Sequence, residues 1–386
     1  MRIAIVTETF LPRVNGIVRM LVAYLDYLER HGHDAIVFAP GECVPSCHGA
    51  TVVPVSGVPF PPYPDVIVAP YSARLEPTLR AWRPDIIHLA GPFMLGRQGV
   101  TVARALGVPV AAHYQTDIAG YADHFKLGLL RPLAWRRLLD IHQGADVTFA
   151  PTPTVAEDLR GRGMARVHVC GRGVDTALFH PNRRDAGVRA RFTGGHDRPI
   201  LLYVGRVSPE KNVSLLADVA RALPYPLVVV GAGPALEALA AEVAPYDVHV
   251  TGTLHGDDLA AVYASADVFL FPSTTETFGQ AAHEAMASGL PVVGMRAGGV
   301  PDVVRDGDTG ILCASDDRDA FVEAARTLAE DPAARRVMGE RGRRVAETHS
   351  WDAIFDHLMG WYAGLAATRR PIPMMAGQHM AERERG

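Results

Sequence analysis

The stretch Val268–Gly294, VFLFPSTTETFGQAAHEAMASGLPVVG, contains one full unit of the pattern that decides the fold. Four apolar residues, Val268–Phe271, predict a buried strand that the following proline ends. After a polar loop, Gly279–Ala287 predicts a helix, and the glycine that follows it is typical helix punctuation. The next apolar run, Pro291–Gly294, predicts a second strand. A strand, a helix and a strand in this order indicate two parallel strands joined by a helical crossover.

The same unit repeats along the chain, which predicts an α/β fold. The expected strands are Arg2–Val6, Ala35–Ala39, Ile86–Leu89, Val108–His113, Val147–Ala150, Pro199–Val204, Leu227–Val230, Val248–Thr251, Val268–Phe271, Pro291–Gly294 and Gly310–Cys313. The expected helices are Ile17–Arg30, Gln98–Leu106, Val213–Leu223, Ala235–Val243, Leu259–Ser265, Gly279–Ala287, Asp331–Glu347 and Trp351–Ala367. Because the strands are apolar almost throughout, helices must cover both faces of each sheet, as in doubly wound Rossmann-like domains.

The length of 386 residues and one polar segment indicate two domains that face a cleft. Residues 182–198 are polar, rich in arginine and unsuited to a strand, so they are predicted to be a linker. We therefore predict an N-terminal domain over 1–182 and a C-terminal domain over 199–350. A helix over 351–368 is expected to return to the N-terminal domain, and 369–386 is expected to be a mobile tail.

Charge and hydropathy narrow the class of protein. The formal net charge of −4 gives no support for binding nucleic acid. No apolar run predicts a transmembrane helix, and MRIAIVTETF is typical of a first strand rather than a signal peptide. Four cysteines favour a reducing compartment, so a cytoplasmic location is expected. Cys43, Cys47 and His48 leave a metal site open as an alternative, although a surface loop fits their spacing better.

Two glutamates stand out in the opening stretch: Glu276 in the loop and Glu284 about one and a half turns into the helix. The residue types alone leave four roles open, namely an acid/base pair, metal ligands, a grip on a substrate, or solvated polar groups of a helix. The backbone N–H groups of Phe278 and Gly279 and the helix dipole favour an anion at this position. A glycine at 279 also lets a ligand approach the backbone closely.

The loop after the strand Pro199–Val204 carries two cations. It has the sequence GRVSPEKN, Gly205–Asn212, and places Arg206 and Lys211 at the same edge of the sheet. Two cations around a turn suit a diphosphate, although an exposed turn with solvated cations is an alternative. The loop is not a Walker A motif, because the Gly-Lys-Ser/Thr sequence is missing. The turn Gly231–Pro234, GAGP, resembles the nucleotide side of such a site.

In the N-terminal domain, the loop TETFLPRVNG, Thr7–Gly16, follows the first strand. Asn15 and Gly16 in this loop place backbone N–H groups for a phosphate or a sugar. The fingerprint GxGxxG is missing, which argues against a dinucleotide cofactor such as NAD. A second loop, HYQTDI, begins with His113, which we select as the candidate functional histidine; a core histidine is the alternative.

The segment His124–Asp140, HFKLGLLRPLAWRRLLD, mixes four cations with leucines. A basic amphipathic segment of this kind can lie on an anionic membrane surface, which is one interpretation of the pattern. The alternative is a helix that packs its leucines against the first domain.

These residues together resemble the retaining GT-B glycosyltransferases of family 4, over roughly Arg2 to Ala367. The most specific part is the pair Glu276 and Glu284 within ETFGQAAHEAMASG, followed by LPVVG and GGVPDVV and preceded by GRVSPEKN. The sequences TETFLPRVNGIVR and YQTD are similar to those of actinobacterial α-mannosyltransferases that use GDP-mannose on lipid or inositol-type acceptors.

The resemblance implies an acceptor-side N-terminal domain, a nucleotide-sugar-binding C-terminal domain and a role for each matching residue. The implied catalytic residues are His113, Arg206, Lys211 and Glu276. Arg206 and Lys211 would bind the donor diphosphate, Glu276 the hydroxyl groups of the donor sugar and Glu284 those of the ribose. His113 would face the sugar near the reacting carbon. Gly16 would let its loop close on the diphosphate, and Phe278 and Gly279 would offer backbone N–H groups.

The implied reaction transfers a hexose from a nucleotide-diphosphate sugar, GDP-mannose being favoured, to a hydroxyl acceptor with retention of configuration. Arg206, Lys211 and a helix N-terminus would oppose the charge on the leaving diphosphate, so neither a metal nor another cofactor is expected. The leaving phosphate would act as the base. An enzyme of this kind is expected in the cytoplasm or peripherally on the inner face of the plasma membrane.

Four alternatives stay open at this point. A transferase could use a UDP- or ADP-sugar on a natural product or an oligosaccharide, and a nucleotide-sugar epimerase would share the diphosphate site without needing an acceptor. A glycoside hydrolase needs two carboxylates about 5–9.5 Å apart across one bond and has no use for Arg206 and Lys211. A non-catalytic nucleotide-binding module would tolerate the loss of Glu276 or His113.

Overall fold

A computed structural model describes residues 1–13, 15–60, 63–115 and 131–368 of the chain. These residues form two compact units. The first unit takes its described residues from Met1–His113, Asp140–Thr148 and Met359–Gly386, and the second from Tyr114–Leu139 and Phe149–Leu358. In these described ranges, no helix is both long enough and apolar enough to cross a membrane.

Strands and helices alternate along the described chain. The strands are β1 Arg2–Thr7, β2 Asp34–Pro40, β3 Ser46–Cys47, β4 Ala50–Val55, β5 Val58–Phe60, β6 Tyr63–Val68, β7 Ile86–Ala90, β8 Val110–His113, β9 Val147–Ala150, β10 Val167–Val169, β11 Leu201–Val204, β12 Leu227–Val230, β13 Val248–Gly252, β14 Val268–Phe271, β15 Val292–Met295 and β16 Gly310–Cys313. The helices are α1 Gly16–Arg30, α2 Leu75–Trp82, α3 Leu95–Leu106, α4 Arg131–Gly144, α5 Pro153–Gly161, α6 Ala186–Thr193, α7 Ser214–Ala222, α8 Leu236–Val243, α9 Gly256–Ser265, α10 Gln280–Ala287, α11 Val300–Val303, α12 Arg318–Glu330, α13 Pro332–Glu347 and α14 Trp351–Ala367. Short 3₁₀ turns lie at Pro181–Arg183 and Pro209–Lys211.

The first sheet has eight strands in the order β10-β9-β8-β7-β1-β2-β4-β3. Its central strand β1 pairs in parallel with both β2 and β7, with Ile3 opposite Ala35 and Ile86. Successive residues of β1 point to opposite faces, and Ala4 and Val6 join one core that also contains Leu89. The short β3 is antiparallel to β4, and β5 and β6 form a separate two-stranded sheet.

The second sheet has six parallel strands in the order β13-β12-β11-β14-β15-β16. Alternate residues feed two cores: Leu202 and Phe269 pack on one face, while Leu201 and Val268 pack on the other. These four side chains are fully buried. Helices cover both faces because each strand is apolar on both sides. The α/β fold class with two doubly wound Rossmann-like domains is therefore confirmed.

The structure also contains elements that the periodicity did not predict. The segment 182–198, predicted to be a linker that no strand fits, contains helix α6. Its N-cap is Asp185, whose side chain accepts a hydrogen bond from Val188 N at 2.8 Å. This helix is polar and rich in arginine and shows no apolar stripe, so the sequence pattern did not predict it. Its Arg189 instead makes an ion pair with Asp267, which immediately precedes β14. The predicted elements also lacked the strands β3, β4, β5, β6 and β10 and the helices α2, α5, α11 and α12. The expected tail 369–386 lies outside the described residues.

Candidate active site

The two loops that carry the predicted diphosphate and sugar residues follow neighbouring strands of the second sheet. Strands β11 and β14 pair in parallel, with Leu201 opposite Val268. The strand order reverses at this pair, because β12 and β13 lie on one side and β15 and β16 on the other. Open α/β sheets bind ligands beyond the carboxyl ends of the strands at such a switch point. The sheet therefore brings both loops to the place where a ligand site is expected.

An ion pair connects these two loops. Lys211 Nζ lies 2.6 Å from Glu276 Oε1, and the two side chains are only 17% and 19% exposed. A second link is the hydrogen bond that Thr275 Oγ1 donates to the carbonyl of Glu210 at 3.2 Å. A partly buried ion pair with a short contact orients both groups, because neither can turn away without losing its partner. The structure thus brings Lys211 and Glu276 together.

Arg206 is exposed at the start of the loop after β11, and a residue of that strand holds its backbone. Tyr203 Oη donates a hydrogen bond to the carbonyl of Arg206 at 2.8 Å. Burial raises the pKa of Tyr203, and the charges of Glu276 and Glu210 act in the same direction. The phenol therefore keeps its proton and remains a donor to this carbonyl.

Helix α10 begins at a glycine in the left-handed region. Gly279 has a φ of +96°, and a Cβ added there would lie 3.1 Å from Phe271 Cε1. Because glycine has no side chain, it makes no capping hydrogen bond to the first turn. Phe278 is buried beside it and packs against His283, with ring centroids 5.4 Å apart. The contact of Phe278 and Gly279 with a donor stays a prediction.

Glu284 lies on the inward side of helix α10 and is only 5% exposed. Tyr263 Oη donates a hydrogen bond to Glu284 Oε2 at 3.2 Å. One turn earlier, Gln280 Nε2 donates a hydrogen bond to the carbonyl of Gly173 at 3.0 Å. Glu284 is therefore not a solvated helix residue, since burial of a carboxylate requires partners of this kind.

Three glycines let further loops pack directly against the site loops. A Cβ on Gly298 would lie 2.2 Å from the carbonyl oxygen of Glu276, and one on Gly299 would lie 2.2 Å from that of Thr277. The Gly299 N–H also donates a hydrogen bond to the Glu276 carbonyl at 2.8 Å. In the turn Gly231–Pro234, a Cβ on the first glycine would lie 1.9 Å from the carbonyl oxygen of Gly205. Any side chain at these positions would displace the backbone of the site loops.

Arg172 is a residue of this site that the sequence patterns did not indicate. It follows β10 in the sequence CGRGVD, Cys170–Asp175, with a glycine on each side. Burial lowers the pKa of Arg172 to about 10, whereas the nearby charges of Glu276 and Glu284 favour its protonated form. A single cation between two glycines, in GRG, was the sequence signal that could have found it.

Gly16 belongs to the first unit, where it begins helix α1. The side chain of Asn15 caps this helix by accepting hydrogen bonds from Ile17 N and Val18 N, each at 3.0 Å. In the same loop, Glu8 Oε1 accepts hydrogen bonds from Phe93 N at 2.9 Å and from Gly96 N at 3.2 Å. The loop is thus held by its own side chains, and the role of Gly16 toward a diphosphate stays a prediction.

His113 ends β8 and is buried in the first unit. Its ring stacks on that of His88, with centroids 4.1 Å apart, and its Nε2 lies 3.1 Å from Tyr362 Oη. Burial and then the neighbouring His88 and His142 lower the pKa of His113 well below its usual value. The ring is therefore neutral near pH 7 and packed against helix α14, while its role beside a donor sugar stays a prediction.

Two further candidates lie elsewhere in the chain. Of the segment 124–140, residues 131–140 are described and belong to helix α4, in which Leu138 is buried and Leu133 is 64% exposed. Cys43 and Cys47 are free thiols, and His48 lies 3.6 Å from Asp26. Within the described ranges, no three His, Cys, Asp or Glu side chains are grouped so that they could hold a metal ion.

In a comparison with protein families and known proteins, each half of the chain matches a glycosyltransferase family model. Residues 14–178 match the model of the glycosyltransferase family 4 domain, and 189–345 match that of the glycosyl transferases group 1 domain. The chain is 40% identical to the GDP-mannose-dependent alpha-mannosyltransferase of Mycolicibacterium smegmatis, over 96% of this chain and 99% of that one. It is 33% identical to the sulfoquinovosyl transferase SQD2 of Arabidopsis thaliana, over 88% of this chain and 69% of that one.

Solved structures show the same fold at lower identity. The sucrose-phosphate synthase of Thermosynechococcus elongatus superposes with a TM-score of 0.80 at 21% identity, over 95% of this chain and 99% of that one. The matched family domains and the near full-length relatives favour a transferase over the epimerase and the hydrolase. The chain therefore belongs to the family 4 glycosyltransferases of the GT-B fold and is an enzyme that transfers a hexosyl group from a nucleotide sugar.

Proposed function

We propose that the donor is GDP-mannose and that the acceptor is a hydroxyl group of a lipid or of an inositol-type glycolipid. The observation that carries the assignment of the donor site is the ion pair between Lys211 and Glu276 at the switch point of the second sheet. It holds a phosphate-binding cation beside a carboxylate that can accept hydrogen bonds from sugar hydroxyl groups. The high identity to GDP-mannose-dependent relatives supports the choice of donor.

The chemistry follows from where charge develops in the transition state. The bond between the anomeric carbon and the diphosphate oxygen breaks, which leaves negative charge on GDP and positive charge on the sugar. Arg206, Lys211 and the N-terminus of α10 lie at the second sheet's carboxyl edge and oppose the negative charge there. We therefore propose that the reaction needs no metal ion.

Retention of configuration requires the acceptor oxygen to bond to the anomeric carbon from the face that the diphosphate leaves. In the proposed step, the acceptor hydroxyl proton moves to the departing phosphate, so GDP carries it away. A carboxylate nucleophile is then unnecessary. Glu276 serves instead to hold the sugar through its hydroxyl groups, and Glu284 holds the ribose.

A panel of nucleotides tests the donor. Melting temperatures are measured with GDP, UDP and ADP and with GDP-mannose, UDP-glucose and ADP-glucose, because a ligand of the folded state stabilises it by mass action. We expect the largest increases with GDP and GDP-mannose. A larger increase with UDP or ADP compounds would overturn the donor assignment in favour of the alternative transferases.

Product analysis tests the reaction. The enzyme is incubated with labelled GDP-mannose and with phosphatidylinositol vesicles, free inositol or diacylglycerol, and the products are separated by chromatography. We expect label in a lipid or inositol product with an α-linkage in its NMR spectrum. Conversion of the donor to another nucleotide sugar without an acceptor would identify an epimerase.

We further propose a cytoplasmic enzyme that binds the inner face of the plasma membrane through the basic segment 124–140. The exposed Leu133 and the neighbouring exposed Arg131 and Arg136 at the start of α4 support this surface. Flotation with vesicles that contain anionic lipid at low salt tests it, with neutral vesicles as the control. Failure to float with anionic vesicles at low salt rules out this surface, because salt screening is then weakest.

A further inference from the structure

We infer that Arg172 is a positioning residue of the donor site, and that its guanidinium holds the carboxylates of Glu276 and Glu284 in place to accept hydrogen bonds from the donor. The inference rests on the proposed function, because it needs a donor whose sugar and ribose meet these two carboxylates. It adds a residue from the CGRGVD segment to a site that otherwise consists of the loops after β11 and β14.

The backbone around Arg172 is fixed on both sides. Cys170 N donates a hydrogen bond to the carbonyl of Ala150 at 2.9 Å, and Val174 N donates one to the carbonyl of His349 at 3.0 Å. Gly173 leaves no room for a side chain, since a Cβ there would lie 2.5 Å from Trp351 Cα. A segment packed this closely gives its one long side chain, that of Arg172, a defined starting point.

The same segment is tied to the helix that carries Glu284. Gln280 Nε2 donates a hydrogen bond to the carbonyl of Gly173 at 3.0 Å. Gln280 and Glu284 are four residues apart on α10 and therefore lie on one face of the helix. Arg172, which adjoins Gly173, is consequently held at the face of α10 where Glu284 lies.

The charges around Arg172 match this placement. The negative charges of Glu276 and Glu284 both raise the pKa of Arg172 and so oppose the effect of its burial. Glu276 also pairs with Lys211, and Glu284 also accepts a hydrogen bond from the phenol of Tyr263. A planar guanidinium has five donors in a fixed fork, so it can serve two carboxylates at once, which an ammonium group on a flexible stem does poorly.

Lys211 alone cannot supply this function. In the proposed reaction its ammonium group must contact the diphosphate as well as Glu276, and it has only three donors to share. Arg172 lies in the segment after β10, which contacts α10 at Gln280, four residues after Glu276, and not in the phosphate loop. In this proposal it provides a second positive charge near Glu276 while Lys211 contacts both Glu276 and the diphosphate.

The test compares Arg172→Met, Arg172→Lys and wild-type protein in titrations with GDP and GDP-mannose, and in kcat and KM for the donor. We expect Arg172→Met to weaken GDP-mannose binding at least tenfold and Arg172→Lys to recover only part of the loss. The same substitution is then made in Glu276→Gln and Glu284→Gln backgrounds. If Arg172 acts through these carboxylates, the fold-loss of donor affinity in each double variant is smaller than the product of the fold-losses in the two single variants.

Arg198→Met is the matched control, because Arg198 lies in the same unit but pairs with Asp247. It should bind the donor like wild-type protein. Unchanged donor binding in Arg172→Met, or losses that multiply fully in both double variants, overturns the inference while the donor site stands. Wild-type protein that binds none of the nucleotides overturns the proposed function and the inference with it. If Arg172→Met does not fold, the Arg172→Lys variant carries the same comparison.

Discussion

Single side chains decide the chemistry of this site through short, partly buried contacts. Lys211 and Glu276 are the clearest case, since their charged atoms are 2.6 Å apart and less than a fifth of each side chain is exposed. At this depth an ion pair is oriented by its surroundings, whereas an exposed pair would be mobile and weak. The two residues therefore act as one unit, and substitutions of either should affect both phosphate and sugar binding.

Arg206→Ala and Lys211→Ala should each lower kcat at least tenfold. Each variant loses a positive charge that opposes the charge on the departing diphosphate, and about 1.4 kcal/mol of lost transition-state stabilisation corresponds to a factor of ten. Steady-state kinetics with GDP-mannose measure the effect, with Arg198→Ala as the control. Turnover near the wild-type value in both variants would remove the diphosphate assignment.

Gly299→Ala should weaken donor binding through a steric clash of the added Cβ, and not through strain in the backbone of residue 299. Its φ is not in the left-handed region, so the effect comes from the added Cβ, which would lie 2.2 Å from the Thr277 carbonyl oxygen. The loop that carries Glu276 must then shift. The control is Gly161→Ala, because no atom lies within 4 Å of a Cβ at that position. Equal donor affinity in the two variants, measured by calorimetry, would contradict this close approach.

Whole elements place these residues, and the switch between β11 and β14 is the decisive one. The loops that follow these strands are joined by the Lys211–Glu276 pair, and the glycines at 298 and 299 pack the loop after β15 against them. Helix α10 starts at the end of the same loop and carries Glu284 on its buried side. One strand pair and one helix thus gather most of the predicted donor-binding residues.

In the first unit, helix α14 contacts two buried histidines through one of its side chains. Tyr362 Oη lies 2.8 Å from His88 Nδ1 and 3.1 Å from His113 Nε2, and all three side chains are buried. Tyr362→Phe should therefore lower the free energy of unfolding by about 1–3 kcal/mol, because two buried ring nitrogens lose their partner. Thermal and urea unfolding measure this loss. Tyr71→Phe is the control, since Tyr71 is 66% exposed, and a loss of equal size there would contradict the prediction.

At the scale of the whole molecule, buried histidines couple stability to pH. Burial lowers the pKa of His88 and of His283 to about 3 and that of His142 to about 4. The unfolded chain binds a proton at each of these side chains below about pH 6.5, whereas the folded chain does not. Their contribution to stability is therefore complete above that pH and is lost as the pH falls from about 6.5 toward 4.

Melting temperatures between pH 7 and 4.5 should fall for this reason. His142→Asn should reduce the slope of the free energy of unfolding against pH by up to about 1.4 kcal/mol per pH unit, since one proton fewer is taken up on unfolding. An asparagine can keep a hydrogen bond to Thr148, whose Oγ1 lies 3.0 Å from His142 Nδ1. His168→Asn is the control because His168 is exposed. If the free energy of unfolding depends on pH equally in His142→Asn and in the control, the proposed contribution of buried His142 is contradicted.

The repeated apolar strands, the helix periods and the turn residues were enough to predict two doubly wound α/β domains. Several bounds agree to the residue, as for Val268–Phe271 and Trp351–Ala367, because burial on both faces leaves long apolar runs and helix ends carry local signals. The loops with Arg206, Lys211 and Glu276 were predictable for the same reason, since each directly follows such a strand. Helix α6 and the half-exposed strand β4 carry weaker periodicity and were missed.

The tertiary structure alone decided which side chains meet. Arg172 comes from a different segment than Glu276 and Glu284, and His113 meets a tyrosine that lies 249 residues away. Local sequence patterns do not predict such pairs, because the pairs depend on the order of strands in a sheet and on the reach of the side chains. The sequence by itself therefore determined the fold, the family and the candidate loops, while packing decided that Glu284 is buried against Tyr263 and that Lys211 contacts Glu276.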